Sequence, residues 1–294
     1  MTLKPLSPQS GLSARSARRS ESALRAASLG LRGLSALSPE LSARAASVLF
    51  TSPRRFTRPE REQEWLRDAT PFVYRVDGQK LRGYCWGRSG PMVALVHGWE
   101  GRGSQLGAFA EPLTNAGLRV VAFDAPGHGE SDGRRVTPMG FARALSGVVQ
   151  VTGPLMGVVA HSLGAPATAL AMARGLSLER VVFVAPGAAP SRAPDVFGRM
   201  LDVDEEIVER LKARLAKMSQ LPWSALEPER LFGRFHVPLL VLHDRDDDEV
   251  KLADVERLVE IWPGSKLLLT EALGHRRILR DEQVVEQAVR FLSD

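Results

Sequence analysis

Cysteine is nearly absent: Cys85 is the only one in 294 residues. One thiol cannot form an internal disulfide, and its isolation excludes a cysteine-based zinc site. Long apolar runs are absent too. No stretch approaches the ~18 consecutive apolar residues that a spanning helix needs, so no membrane span is expected. The start lacks an apolar stretch of ~7–15 residues ahead of a cleavage site, so no secretory signal is read there and a cytoplasmic location is expected. No internal repeat is visible. Acids are scarce in residues 1–58, where Glu21 and Glu40 stand against ten Lys and Arg. That segment carries +8 of a net charge of +5, which leaves −3 for the rest of the chain. A basic groove for nucleic acid would need such clustering within the folded part, and none is found there, so no nucleic-acid partner is expected.

What is present describes a globular protein. Hydrophobic residues make up 44% and charged residues 25%, which excludes a mostly disordered chain and a collagen-like repeat. The length allows one or two domains. Composition changes near residue 70, so residues 1–70 are read as a basic extension rich in Ser, Ala and Arg, and residues 71–294 as the main domain. Three readings of the extension stay open: a disordered or loosely helical tail, a helix packed on the main domain, and an organelle-targeting peptide. The packed helix has local support. Ser38, Pro39 and Glu40 look like an N-cap, a first-turn proline and a dipole-friendly acid. Leu34, Leu41 and Val48 recur every seven residues, and Ser52-Pro53 stops the run.

From about residue 70, short apolar segments alternate with helix-length ones. Phe72–Val76 and Leu81–Gly87 flank Asp77-Gly78 and read as a hairpin. Met92–Val96, Arg119–Phe123, Leu155–Ala160, Arg180–Ala185, Leu239–His243 and Lys266–Thr270 read as buried strands. Helices are expected between them at 105–116, 138–151, 163–174, 252–261 and 281–292. Repeated strand–helix units imply an α/β fold with a mostly parallel, doubly wound sheet of eight strands. The alternation breaks at about 186–236. There Ile207, Val208, Leu211, Leu215 and Met218 keep helical spacing, and the segment reads as a small lid above the strands' carboxyl ends, with an apolar face that could cover an acyl chain.

The most informative segment is Leu155–Gly164, "LMGVVAHSLG". Ser162 directly follows an apolar strand and precedes an alanine-rich helix, with Ala160 and Gly164 two residues to either side. An abrupt strand-to-helix turn brings backbone close on both sides and admits only small neighbours. It thrusts the serine hydroxyl above the sheet, beside a helix N-terminus that favours negative charge. A serine nucleophile then needs a base, because it is hardly ionised at neutral pH. Of the six histidines, His275 lies in the loop between the last strand and the last helix. His161 adjoins Ser162 and is read as buried and satisfied. The base in turn needs a carboxylate, and Asp244, Asp246, Asp247, Asp248 and Glu249 follow strand Leu239–His243. No EF-hand is in register among them, and no metal is expected.

These segments resemble the α/β-hydrolase fold superfamily over residues ~72–294. "AHSLG" is similar to its nucleophile elbow, usually Gly-x-Ser-x-Gly, with Ala160 replacing the first glycine. "VALVHGWEGRG" resembles the family's oxyanion strand and loop. The resemblance implies that the Trp99 and Leu163 backbone N–H groups form the oxyanion hole and that His97 fixes the loop. "FDAPGHGES" resembles a loop in which Asp124, His128 and Ser131 are shaping residues. Gly274-His275 matches the usual place of the base. The family pattern Gly-x-x-Asp-x-x-Val puts the acid on Asp247, with Val250 as its valine and Asp244 where glycine is usual; Asp246 is the second choice. The order Ser162, Asp247, His275 is that of the family. The implied activity is hydrolysis of a small-molecule acyl ester through an acyl-enzyme, without a cofactor. An aminopeptidase, an acyltransferase or a non-catalytic binding protein on the same fold are the alternatives.

Overall fold

The structure is a computed structural model that describes the backbone of residues 10–294 and the side chains from residue 22 onward. The first nine residues of the basic extension lie outside the described residues. By contacts the chain divides into two compact units: residues up to Phe50 together with Arg192–Arg214, and Thr51–Ser191 together with Leu215–Asp294. Among the described residues no helix is long and apolar enough to cross a membrane.

In the first unit, α1 (Ser10–Leu37) is followed by α2 (Pro39–Thr51). The Ser42 hydroxyl donates to the Leu31 carbonyl at 2.9 Å across this junction, which ties the start of α2 back to α1. The seven-residue pattern does not mark the packed face. Leu41 and Val48 are 47% and 43% exposed, while Ser42, Ala43, Ala46 and Ser47 are buried. Small side chains at this spacing allow close backbone approach, and the larger leucine and valine are left outside.

The second unit holds the sheet. Its strands are β1 (Thr70–Val76), β2 (Gln79–Trp86), β3 (Met92–Val96), β4 (Arg119–Phe123), β5 (Gly157–His161), β6 (Arg180–Val184), β7 (Leu239–Asp244) and β8 (Ser265–Thr270). They lie in the order β1-β2-β4-β3-β5-β6-β7-β8. β1 and β2 form the antiparallel hairpin, and β2 pairs antiparallel with β4; the remaining pairs are parallel. The eight-stranded, mostly parallel α/β sheet is the expected one, with strand ends shifted by at most two residues. Residues 51–70 belong to this unit: the short α3 (Glu60–Trp65) is tied to it by Trp86, whose indole N–H donates to the Trp65 carbonyl at 3.0 Å.

Alternate residues of the central strands serve opposite faces. Ala94, Val96, Val158, Ala160, Val181 and Phe183 join one core, and Val93, Leu95, Val159, Val182, Val184 and Leu242 join the other. Burial on both faces is why these strands read as continuous apolar runs rather than alternating ones. Each fully buried Val or Leu contributes about 1.5–3 kcal/mol of transfer free energy. Covering helices are α4 (Ala110–Asn115), α5 (Pro138–Thr152) and α6 (Gly164–Ala173). The expected helix at 105–116 starts instead as a 3₁₀ segment, Gly103–Phe109, before α4. α6 is buried on all sides along its first eight residues, which fits its alanine content.

Residues 186–236 hold helices and no strand. α7 (Ala193–Met200) and α8 (Glu205–Ser219) precede the short α9 (Pro228–Leu231). Ile207, Leu211 and Leu215 of α8 are each 1% exposed, so the face read as free to cover an acyl chain is already covered. The chain ends with α10 (Leu252–Ile261), α11 (Gly274–Arg277) and α12 (Glu282–Ser293).

Candidate active site

The sheet order reverses its direction of growth at β3. β4 is laid on one side of β3 and β5 on the other, with Val96 of β3 opposite Ala160 of β5. The loops leaving β3 and β5 therefore emerge side by side at the carboxyl edge, the position where such sheets bind ligands. Trp99 leaves from one and Ser162 from the other.

Ser162 sits between β5 and α6 with φ +50°. A non-glycine residue in the left-handed region carries strain that its surroundings must hold. Here the Ser162 N–H donates to the Val184 carbonyl at 3.2 Å, and its carbonyl accepts from Ala165 at 3.0 Å and Gly187 at 3.0 Å. Small neighbours are required. A Cβ on Gly98 would stand 2.8 Å from the Ser162 Cβ, and one on Gly164 would stand 2.5 Å from the Val96 carbonyl oxygen. Ala160 fits where glycine is commoner because its methyl points into a core. The backbone N–H groups of Trp99 and Leu163 have no hydrogen-bond partner among the described residues.

Histidines hold the loop after β3 in place. His97 is fully buried; its Nδ1 bonds the Gly98 carbonyl at 2.7 Å, and its Nε2 accepts from Ala125 N–H at 3.0 Å. His128 Nε2 accepts from Glu100 N–H at 3.0 Å, and its Nδ1 bonds the Pro126 carbonyl at 3.0 Å. Both rings act as neutral spacers, donor at Nδ1 and acceptor at Nε2. Burial pushes His97 well below its ordinary value and His128 down to about 4. Asp124 accepts from Gly103 at 2.7 Å and Glu130 at 2.8 Å, and Ser131 accepts from Arg82 N–H at 2.9 Å. All three residues of the "FDAPGHGES" segment singled out in the sequence thus shape loops.

On the other side, His275 Nδ1 lies 2.8 Å from Asp247 Oδ2. The His275 side chain is 4% exposed and that of Asp247 fully buried. Asp247 Oδ1 accepts from Glu249 and Val250 N–H, each at 2.9 Å. Burial pushes the Asp247 carboxyl up, but the bonds from His275, Val250 and Glu249 outweigh it and hold the group below the usual carboxylate range. Asp246 is engaged elsewhere: its Oδ2 accepts from Ala272 N–H at 2.8 Å. His275 Nε2 stands 3.8 Å from Glu249 Oε2, and the Ser162 hydroxyl makes no hydrogen bond among the described residues.

Three further residues support this arrangement through contacts that the sequence does not show. Asp244, where the family has glycine, accepts from Asp246 N–H (3.0 Å), Gly274 N–H (2.9 Å), Leu273 N–H (3.1 Å) and the Thr270 hydroxyl (2.6 Å). It ties the acid loop to the His275 loop. His161 is buried as expected, but it packs against His275: the ring centroids are 4.7 Å apart, and its Nε2 bonds the His275 carbonyl at 2.9 Å. Its Nδ1 has no partner, so it is half satisfied. Burial, with the His275 ring beside it, pushes His161 down to about 3. His243 is fully buried with Nδ1 3.8 Å from Asp247 Oδ2. The signal that could have exposed Asp244 is its place at the last residue of β7 ahead of an acid-rich loop; nothing local marks the other two.

Comparison with known proteins agrees with this fold. Residues 88–231 match the serine aminopeptidase S33 family. The uncharacterized protein Rv2307c of Mycobacterium tuberculosis (strain ATCC 25618 / H37Rv) is 31% identical over 236 residues, covering 76% of this chain and 78% of its own. Among solved structures, the Pyrococcus furiosus esterase Pf2001 superposes with a TM-score of 0.63 at 19% identity, over 82% of this chain and 98% of its own. Est1E of Butyrivibrio proteoclasticus, solved with ferulic acid, gives 0.61 at 19% identity over 76% and 96%. The chain belongs to one family with Rv2307c and has the α/β-hydrolase fold, and just under half of its length matches the serine aminopeptidase S33 model.

Proposed function

We propose that the protein is a serine hydrolase that cleaves carboxylic esters through an acyl-enzyme. The observation that carries the proposal is the buried His275–Asp247 contact at 2.8 Å, taken together with a serine in a strained strand-to-helix turn. In this reading Ser162 Oγ attacks the acyl carbonyl, and its proton passes to His275 Nε2. Asp247 holds the imidazole with Nδ1 protonated and stabilises the imidazolium that forms. The unengaged N–H groups of Trp99 and Leu163 receive the oxyanion, and one such donor can be worth about 3 kcal/mol. The tetrahedral intermediate collapses, His275 protonates the departing alcohol, and the acyl group stays on Ser162. Water, deprotonated by His275, then releases the acid. The Nε2–Oγ contact this needs is one that commonly tightens only with substrate bound.

Esters are the first choice because the structural relatives include named esterases. The family match favours aminoacyl amides as the second class. A fluorophosphonate probe and p-nitrophenyl esters of graded chain length, with aminoacyl p-nitroanilides alongside, test both. The native protein should label and Ser162→Ala should not, with turnover lowered roughly 10⁴–10⁶-fold. Equal labelling of the two would overturn Ser162 as the nucleophile, and no labelling of the native protein would overturn the proposal and leave a binding protein on a hydrolase fold.

A further inference from the structure

A cavity of about 200 Å³ opens in the second unit between residues 56–65, the loop after β3 and the helical turn that follows His275. Six ionisable groups line it: Arg61, Glu62, Glu100, Arg102, Arg276 and Arg280. Both acids are already committed. Arg102 grips Glu62 with two bonds, Nε to Oε2 at 2.6 Å and Nη2 to Oε1 at 2.8 Å, and the Ser104 hydroxyl adds a third at 2.8 Å. Arg54 takes both oxygens of Glu100, at 2.8 and 2.9 Å. Although burial opposes it, the Arg54 bonds hold the Glu100 carboxyl below its ordinary range.

The arginines are not equally committed. Arg276 spends Nε on Glu249 at 3.1 Å, and Arg61 and Arg280 make no ion pair among the described residues. Four arginines against two carboxylates give the lining +2, and the outer partners Arg54 and Glu249 cancel each other. Trp65 and Leu279 supply apolar walls. Uncompensated guanidinium groups gathered in a concavity concentrate anions. Their planar forks match carboxylate and phosphate oxygens.

We propose that this cavity is an anion subsite that takes a carboxylate or phosphate group carried by the substrate, with Arg61, Arg276 and Arg280 as the charged donors. The assignment to substrate rests on the serine-hydrolase reading. Arg276 directly follows His275, and Glu100 directly follows Trp99, so the subsite shares walls with the loops that would carry the base and an oxyanion donor. The substrates selected would be esters with an anionic far end.

Two measurements on the full-length protein test this. Calorimetry with inorganic phosphate and with succinate should detect binding that weakens with added salt and drops at least tenfold in Arg61→Ala/Arg280→Ala. Both side chains are exposed and make no ion pair among the described residues, so a circular-dichroism melt should show the variant folded; the Arg290→Ala variant should bind both anions like the native protein. In the kinetic arm, kcat/KM for p-nitrophenyl monosuccinate over that for p-nitrophenyl butyrate should exceed one. It should fall about tenfold in the double variant, through KM. Anion binding that is absent, or equal in native and double variant, overturns the subsite; an unchanged ester ratio overturns its use for substrate. Intact anion binding with no ester turnover of either kind would sink the serine-hydrolase reading and leave the subsite standing.

Discussion

Asp244 accepts the Gly274 N–H at 2.9 Å and the Leu273 N–H at 3.1 Å, so the residue that closes β7 also fixes the backbone just ahead of His275. Asp244→Ala leaves these donors, the Asp246 N–H and the Thr270 hydroxyl without their acceptor. At about 1 kcal/mol for each lost bond, the variant should lose about 3–4 kcal/mol in chemical denaturation, with ester turnover reduced as the histidine loop loosens. Native-like stability would show that the four bonds are not what holds the two loops together.

Asp247 and Asp246 separate by what they touch. Asp247→Asn removes the acceptor that keeps His275 protonated at Nδ1, and kcat should fall on the order of 10³–10⁴-fold. Asp246→Asn loses only its partner at Ala272 N–H and should stay within tenfold of native. Steady-state kinetics on the two variants checks this, and equal losses would contradict the assignment of the acid.

Gly98→Ala tests the close approach behind Ser162. The added methyl would stand 2.8 Å from the Ser162 Cβ and 3.1 Å from His161 Nδ1, and neither neighbour is on a flexible arm. The turn must shift, and displacements of about 1 Å at reacting groups cost roughly 100-fold in rate. The expected result is a kcat loss of that size with KM little changed. Gly30→Ala, with nothing within 4 Å, should behave as native.

Acid stability follows from the buried histidines. His97, His128 and His161 are neutral in the fold, with His128 held down to about 4 and His161 to about 3. In the unfolded chain each returns to about 6.5. Below that pH the unfolded state takes protons that the fold refuses, so stability falls as pH drops through 6.5. The loss continues to about pH 4 for His128 and about pH 3 for His161. Each histidine adds a slope of about 1.4 kcal/mol per pH unit. Asp247 and Asp244, held low in the fold, add to the loss only below their ordinary carboxylate range. Urea midpoints at pH 7.5 and 5.0 should differ clearly, and His161→Asn should reduce the slope by about one proton. Equal midpoints would contradict the burial of these rings in neutral form.

The sheet was legible because its order is written in local signals. Doubly buried strands such as Met92–Val96 are unbroken apolar runs, and Asp77-Gly78 marks the hairpin. Ser162 was legible for the same reason: a sharp strand-to-helix turn constrains its immediate neighbours, Ala160 and Gly164. Contacts made at long range left no such mark. The His161 ring meets His275 across 114 positions, and a neighbouring histidine on a strand end gives no hint of it. Asp244 looked like one more loop acid because its four partners come from residues on both sides of a later strand. In α2 the spacing of Leu41 and Val48 suggested the wrong face, because serine and alanine carry no visible hydrophobic pattern even where they pack most closely.

The Glu62–Arg102 pair bears on where the hydrolase body begins. Both side chains are nearly inaccessible, 3% and 11% exposed, and the acid lies ahead of the first strand. A shorter polypeptide starting at residue 71 would lose only Thr70 from the sheet and retain every proposed catalytic group. It would also strand Arg102 as an interior cation without its counter-ion, a defect of about 3–5 kcal/mol. That is a large share of the 5–15 kcal/mol by which an ordinary domain outlasts its unfolded state, so the minimal folding unit reaches upstream of the sheet it serves.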